Sequence, residues 1–227
     1  MELGRAFTYA FEDKEWISKL GMTVLMMFAA MIPIVGLLAV CALLGYMTDI
    51  VHNVRNGHPR PLPKWVKYSE KTKHGGYVLL ATIIYNLPLI LMSVFLYSFS
   101  SVIGRSQFGG FAYVAIIGCV LPLLFIYTII AWSMLTIGII RYSERRDSGV
   151  FYRFGKLFTT MQTNSRLTLQ WTFYSIMANI FFSFLLLIPF IGWLAIFALA
   201  YPVQGSLMGQ YGRMIGASET AKRDGRR

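Results

Sequence analysis

The chain has 227 residues, of which 56% are hydrophobic and 14% are charged. Ordinary soluble domains carry roughly 25% charged residues, so this composition excludes a typical water-soluble globular domain. The formal net charge of +11 comes from basic residues scattered between apolar segments, which excludes a nucleic-acid platform and favours attraction to anionic lipid headgroups.

The first 16 residues mix aromatic and charged side chains, a pattern that predicts an amphipathic segment in the inner membrane interface. Trp16 is expected to anchor this segment among the headgroups, and Asp13 is expected to cap the first membrane helix. Because the segment carries Glu2, Glu12 and Glu15 rather than a short basic patch before an apolar stretch, no cleavable signal peptide is expected.

Long runs without any Asp, Glu, Lys or Arg follow, and each is long enough to enter a bilayer. A helix crosses the apolar core with about 20 residues. An amphipathic helix of a soluble protein would interrupt such runs with a charged face. The sequence therefore predicts an all-α integral membrane bundle. The runs are Leu20–Thr48, Gly75–Gly104, Ser106–Ile140 and Leu167–Gly212, which hold 29, 30, 35 and 46 residues.

The first run and its flanks predict a hairpin that turns at Pro33 and Gly36. Proline removes a backbone donor, and glycine tolerates the φ angles that end a helix. The predicted legs are Ile17–Ile32 and Gly36–Asn53. The first leg reaches only about 24 Å against a core of about 30 Å, so tilting, local thinning of the bilayer and re-entry without full crossing all fit.

The other runs supply four further spans, because the last run is long enough for two crossings and a turn at Pro189 and Gly192. The positive-inside rule places the loops that hold Lys and Arg in the cytoplasm. A model with four spans would put the six basic residues of the first loop outside, or would place another basic loop there instead. The four spans are Tyr77–Phe99, Phe111–Ile140, Leu167–Ile188 and Trp193–Arg213.

The predicted fold is therefore a bundle of six transmembrane helices in three hairpins, about 17–53, 77–140 and 167–213, with both termini cytoplasmic. Basic cytoplasmic loops at 54–76 and 141–166 and a basic tail at 214–227 connect and follow the hairpins. This arrangement places 20 of the 21 Lys and Arg residues inside, with Arg105 as the exception.

An internal repeat links the first and third hairpins. The segment Ile32–Ala39 recurs 156 residues later as Ile188–Ala195, with the Ile-Pro pair and the following glycine in register. A weaker match joins Tyr68–Glu70 to Tyr142–Glu144, and duplication and chance matching in a biased sequence both account for it. Inverted repeats of the kind found in many transporters are not indicated.

Ionisable residues inside a membrane are candidates for function, and these runs contain almost none. Asp49 and His52 share a helical face near the predicted inner end of the first hairpin, and His58, Glu70 and His74 follow in the loop. A solvated helix end is the favoured interpretation, and a weak metal or proton site is the alternative. No catalytic, cofactor-binding or metal-binding motif is found, so no enzymatic activity and no cofactor are expected.

Two further groups of residues within the predicted spans are candidates for helix packing or function. The glycines Gly205, Gly209, Gly212 and Gly216 recur at GxxxG-like spacing and predict close helix packing, more readily inside the bundle than with another subunit. Uncharged polar residues either form interhelical hydrogen bonds, which is favoured, or line a permeation path. These residues are Asn86, Gln170, Asn179 and Gln204.

The chain resembles the prokaryotic membrane family known as domain of unknown function 4013. The resemblance rests on Phe11-Glu12-Asp13, on Ile32–Gly36 followed by Gly45-Tyr46, on Pro61-Leu62-Pro63 with the interfacial anchor Trp65, and on Gly209–Arg213. After Trp65 this chain has lysines where the family is expected to have acidic residues. The resemblance implies a multi-span protein of the prokaryotic cytoplasmic membrane and carries no established activity.

Two functions follow as hypotheses. In the first, the protein is a non-catalytic scaffold, assembly factor or accessory subunit of a larger membrane complex, with anionic lipids and other membrane subunits or itself as partners. In the second, it is a transporter or channel for a small solute or a lipid.

Overall fold

The computed structural model describes residues 1–58, 62–103 and 107–224. All the regular structure in these ranges is helical, with short 3₁₀ turns at Tyr9–Glu12 and Ser148–Tyr152. The predictions for Arg105, for Pro61 and for the last three residues of the tail lie outside the described residues. The α-helices are α1 Leu3–Thr8, α2 Trp16–Ala29, α3 Val35–Arg55, α4 Tyr68–Ile103, α5 Gln107–Arg145, α6 Phe154–Thr163, α7 Ser165–Leu185 and α8 Ile191–Asp224.

Four of the described helices, α3, α4, α5 and α8, are long and apolar enough to cross a membrane, with mean hydropathies between 1.4 and 2.6. The sequence predicts six such helices. With 14 residues, α2 is apolar but reaches only about 21 Å. The 21 residues of α7 include Gln170 and Asn179, which lower its mean hydropathy. The composition of the helices is that of a membrane protein.

The helix α3 forms the centre of the bundle and contacts α2, α4, α5 and α8. In the most apolar 18-residue stretch of α3, 61% of the residues are buried inside the protein. The corresponding fractions are 17% in α4 and 6% in α5. The largest fully buried side chains include Trp171, Tyr46 and Tyr142. Aromatic rings from α3, α5 and α7 therefore fill much of the core.

The turns that join α2 to α3 and α7 to α8 have the same structure. In each, the residue after the repeated proline has a positive φ, 68° at Ile34 and 61° at Phe190. The next backbone N–H donates to the proline carbonyl at 2.8 Å in both turns. A side chain on Gly36 or Gly192 would overlap the end of the preceding helix. The repeated sequence thus encodes a repeated, strained γ-turn whose non-glycine residue costs about 1–3 kcal/mol.

The helix α1, the described parts of segments 54–76 and 141–166, and the carboxyl-terminal half of α8 meet at one end of the bundle, which we call the inner end. The amino group of Met1 lies 3.6 Å from Sδ of Met214, and Ser218 donates to Asn164 at 2.7 Å. The helix α1 packs on α8. Segment 141–166 holds the end of α5, the second 3₁₀ turn and α6.

The helices α4 and α5 are longer than the others, with 36 and 39 residues, or about 54 and 58 Å. Residues 88–101 and 110–126 extend past the buried core, and we call these two segments the outer arm. Several large apolar side chains of the outer arm are exposed, among them Leu91, Val94, Tyr97, Phe111, Leu123 and Phe125.

Candidate functional site: an inner polar cluster and two cavities

An ion-pair cluster joins three helices at the inner end. The carboxylate of Asp49 in α3 accepts from Lys71 of α4 in a very short contact and from Arg146, next to the end of α5, at 2.6 Å. Lys71 is nearly buried, with 7% of its side chain exposed. Glycines bring α3 and α4 together here, because a methyl group on Gly45 or Gly75 would overlap the backbone of the other helix.

Hydrogen bonds extend this cluster along the end of α5. His52 donates from Nδ1 to the carbonyl of Ser143 at 3.0 Å, and Arg55 pairs with Glu144 at 2.6 Å. His74 and the hydroxyl of Tyr142 are 2.8 Å apart. Asp49 and His52 are therefore tied to neighbouring helices in this structure. Among the described residues, no group of three or more His, Cys, Asp or Glu side chains is placed to hold a metal ion.

A second buried ion pair lies beside the cluster. Lys19 pairs with Asp13 at 2.6 Å and donates to the carbonyl of Leu62 at 3.0 Å. The N-cap of α2 is Glu15, whose N–H donates to Asp13 at 2.9 Å, so the predicted cap at Asp13 is wrong by two positions. Removing either charge of a buried ion pair leaves the other without a counter-charge, which is strongly destabilising. Because Lys19 also donates to Leu62, the pair joins the amino-terminal segment to the loop before α4.

The two tryptophans expected at the interface differ in environment. Trp16 is exposed and packs its ring edge-on against Phe11, with centroids 5.1 Å apart. Trp65 is half-buried, stacks on Tyr46 at 4.3 Å and donates to the carbonyl of Lys19 at 3.0 Å. The ring of Trp65 therefore fastens the loop onto α3.

The glycines of α8 face other helices of the same chain. The Cβ position of Gly205 lies 3.0 Å from Ile50 of α3, and that of Gly209 lies 2.6 Å from Val54. Gly212 faces Ile140 of α5, and Gly216 lies beside Arg55. The GxxxG face is thus occupied from within the bundle.

Two adjacent cavities, both partly open, lie along the helices of the bundle. One, of about 320 Å³, lies among α3, α4, α5 and α8 and has Asn86 and Thr136 in its wall. The other, of about 330 Å³, is lined by Asn179 and Gln204. The side chains of Met47, Trp132 and Met208 line both cavities. Of the four polar residues singled out in the sequence, three therefore line a cavity, and Gln170 lines neither of these two.

Some of the polar side chains in these cavity walls form hydrogen bonds and others do not. The amides of Asn86 and Asn179 donate to carbonyls one turn back in their own helices, at 2.7 and 2.8 Å. The side-chain oxygens of Gln204 and Thr136 are buried and have no hydrogen-bond partner among the described residues. Because these two oxygens have almost no accessible surface, a polar ligand or water would reach them only after the neighbouring side chains move.

Sequence reasoning did not find several residues of the inner cluster. Lys71 and Arg146 are far from Asp49 in the chain, so no local spacing connects them. One available signal was the repeated Tyr-Ser-Glu match, since its second copy, Tyr142–Glu144, supplies three successive contacts to α3 and α4.

Comparison with known proteins adds one match. The model of a family described as protein of unknown function (DUF4013) matches residues 25–191, which is most of the chain. This match confirms the resemblance drawn from the sequence motifs. No curated protein and no solved structure matches the chain.

Proposed function

Because the chain belongs to the DUF4013 family, whose function is unknown, we propose from its geometry that it is a non-catalytic scaffold, assembly factor or accessory subunit of a larger complex in the prokaryotic cytoplasmic membrane. The observation that supports this proposal most directly is the outer arm. Its partner is the apolar transmembrane surface of another membrane protein.

The charge-free runs of α4 and α5, which contain the outer arm, are too long to be covered by lipid alone when these helices stand upright. The charge-free runs of these helices hold 30 and 35 residues, or about 45 and 52 Å of helix. The hydrocarbon core is about 30 Å thick, so about 15–22 Å of apolar helix remains uncovered on each. Tilting reduces this excess, and contact with a second protein removes it.

The side chains of the outer arm suit such a contact. Phe111 and Tyr97 are 83% and 78% exposed, and they lie among aliphatic residues on both helices. A contiguous apolar surface that leaves the bilayer is unfavourable in water and gains free energy when another apolar surface covers it. The arm is thus the part of the molecule best suited to a protein partner.

The proposed topology is three hairpins with both termini in the cytoplasm. Its support is that Met1, the carboxyl-terminal half of α8 and the described parts of the two basic segments meet at the inner end. Retention of Lys and Arg on the cytoplasmic side and their attraction to anionic lipids both favour this orientation.

Site-specific photo-crosslinking in native membranes tests the scaffold proposal. A photoreactive residue at Val94 or Leu123 of the outer arm is expected to give a discrete protein adduct, and one at the exposed Leu169 of α7 is the matched control. The substitutions Val94→Asn and Leu123→Asn should lower the mass of the detergent-solubilised complex, whereas Leu169→Asn should not. A lone monomer of unchanged mass in all variants contradicts the proposal.

A second candidate function, transport of a small solute or lipid, rests on the pair of cavities. They share the wall formed by Met47, Trp132 and Met208, and movement of these side chains would join them. If the same movement exposes the buried, unpartnered oxygens of Gln204 and Thr136, they would supply polar groups to a path that is otherwise lined mostly by apolar side chains.

Labelling of introduced cysteines by a thiol reagent distinguishes a transporter with an open path from a bundle without one. In a background of Cys41→Ala and Cys119→Ser, a small water-soluble thiol reagent is expected to label Asn86→Cys and Gln204→Cys if the path opens. The control is Ser175→Cys, because Ser175 is fully buried and lines neither cavity. Equal protection of all three cysteines argues against transport.

A further inference from the structure

A small basic cavity lies at the inner end, where α3, α5, α6 and α8 meet. Its volume is about 220 Å³. We propose that this cavity binds a phosphate ester anion. The cationic side chains in its wall are Arg55, Arg141, Arg145, Arg153 and Lys156.

The charge in this cavity is strongly unbalanced. Among the described residues that line it, five side chains are cationic and one, Glu144, is a carboxylate. That carboxylate pairs with Arg55 at 2.6 Å, and Arg153 reaches Asp147 outside the cavity wall at 3.3 Å. Like charges gathered in one small space repel one another, so a bound anion lowers the free energy of this arrangement.

Part of the basic group is held in place before any ligand arrives. Arg55 is fixed by Glu144, and Arg141 donates to the hydroxyl of Thr160 in α6 at 2.6 Å. Arg145, Arg153 and Lys156 are exposed at the opening. Guanidinium groups bind phosphate oxygens through paired N–H donors, which makes a preorganised arginine cluster selective for phosphate over other anions.

The start of α6 adds to the positive potential. Arg153 is the N-cap of this helix of 10 residues, and its side chain makes no capping hydrogen bond. Lys156 lies in the first turn, so two cations at the start of this helix line the same cavity. Backbone N–H groups and the helix dipole favour an anion at this position.

The size of the cavity limits the ligand. Pockets for drug-sized molecules measure about 300–1,000 Å³, so this cavity accepts a phosphate group with few attached atoms. Two sources share that chemistry, the headgroup of an anionic phospholipid at the inner surface and a soluble phosphate ester. The site lies apart from the outer arm, so it does not depend on the scaffold proposal.

The test uses the full chain in detergent. Native mass spectrometry measures retention of phosphatidylglycerol against phosphatidylcholine, and calorimetry measures binding of glycerol phosphate and inorganic phosphate. The variant Arg153→Gln/Lys156→Gln removes two exposed charges of the cavity. The control Lys14→Gln/Lys64→Gln removes two exposed charges elsewhere at the inner end. Thermal unfolding of both variants is compared with that of the wild type.

At least one phosphate ligand is expected to bind the wild type and to bind the cavity variant at least tenfold more weakly, with the control within twofold of the wild type. A loss confined to phosphatidylglycerol identifies the lipid headgroup, and a loss for glycerol phosphate or inorganic phosphate identifies a soluble ligand. The proposal is overturned if no phosphate ligand binds, if the cavity variant binds like the wild type, or if both variants weaken equally.

Discussion

The Cβ position of Gly75 in α4 lies 2.6 Å from the backbone nitrogen of Gly45 in α3. No side chain fits between the two helices at this point, so their backbones are in direct contact. The contact sets the level at which Asp49, one turn after Gly45 in α3, meets Lys71, one turn before Gly75 in α4. Membrane helices commonly use small residues in this way. Because lipid tails are as apolar as the helices, the hydrophobic effect does not bring helices together in a bilayer, and close van der Waals packing does so instead.

Gly75→Ala is expected to destabilise the protein by at least about 1–3 kcal/mol, since the new methyl group overlaps the carbonyl of Cys41 and α4 must move away from α3. The measurement is thermal unfolding in detergent. Gly118→Ala is the matched control, because nothing lies within 4 Å of its Cβ position in α5. Equal midpoints for the two variants would show that the helices do not touch here.

Asp49→Asn is expected to lower the free energy of unfolding by about 3–5 kcal/mol, because it leaves the buried ammonium of Lys71 without its carboxylate. Addition of Lys71→Met should recover part of the loss, since the ammonium left without its carboxylate is then removed. The control is Glu70→Gln, which breaks an exposed pair with Lys67 and should leave the unfolding midpoint unchanged.

Gly209→Val is expected to unfold or loosen the monomer rather than to dissociate a complex, because Val54 of α3 occupies the space beside this glycine. The comparison is between the thermal midpoint and the mass of the solubilised protein. Loss of mass with an unchanged midpoint would mean that the glycine face of α8 serves another subunit.

Tyr9→Phe is expected to cost about 1 kcal/mol at neutral pH, since the buried hydroxyl donates to the carbonyl of Pro202 at 2.8 Å. Burial raises the pKa of the Tyr9 hydroxyl well above its usual value of 10.0, and nearby Tyr46 raises it further.

Because the folded pKa of Tyr9 exceeds the unfolded one, its contribution to stability is complete below pH 10.0 and declines as the pH rises through the folded pKa. The difference in stability between wild type and Tyr9→Phe should therefore shrink in alkaline solution. Tyr152→Phe, at an exposed position, should show no such change. A difference that grows with pH would contradict this account.

Much of the fold followed from charge and turn residues. The absence of charge from Gly75–Gly104 and Ser106–Ile140 predicted the two longest helices, and the repeated Ile-Pro-x-x-Gly segment predicted two matching turns. The predicted first leg, Ile17–Ile32, was too long, because α2 begins at Trp16 and ends at Ala29, three residues before the predicted end.

The candidate site was less accessible to sequence reasoning. Asn86, Asn179 and Gln204 were found as polar residues in apolar runs, yet only the helix packing decides that they line two neighbouring cavities. The basic cavity draws its side chains from α3, α5 and the start of α6, and no spacing in the chain connects Arg55 with Arg153 and Lys156.

The sequence by itself determined which segments avoid water and where the chain reverses, since hydropathy and the backbone limits of proline and glycine act locally. The tertiary structure alone decided that Asp49 faces Lys71 and Arg146, that α8 lies against α3, and that cations gather around α6. In an apolar bundle these choices depend on which helix surfaces fit closely and which polar groups find partners, and both are properties of pairs of distant segments.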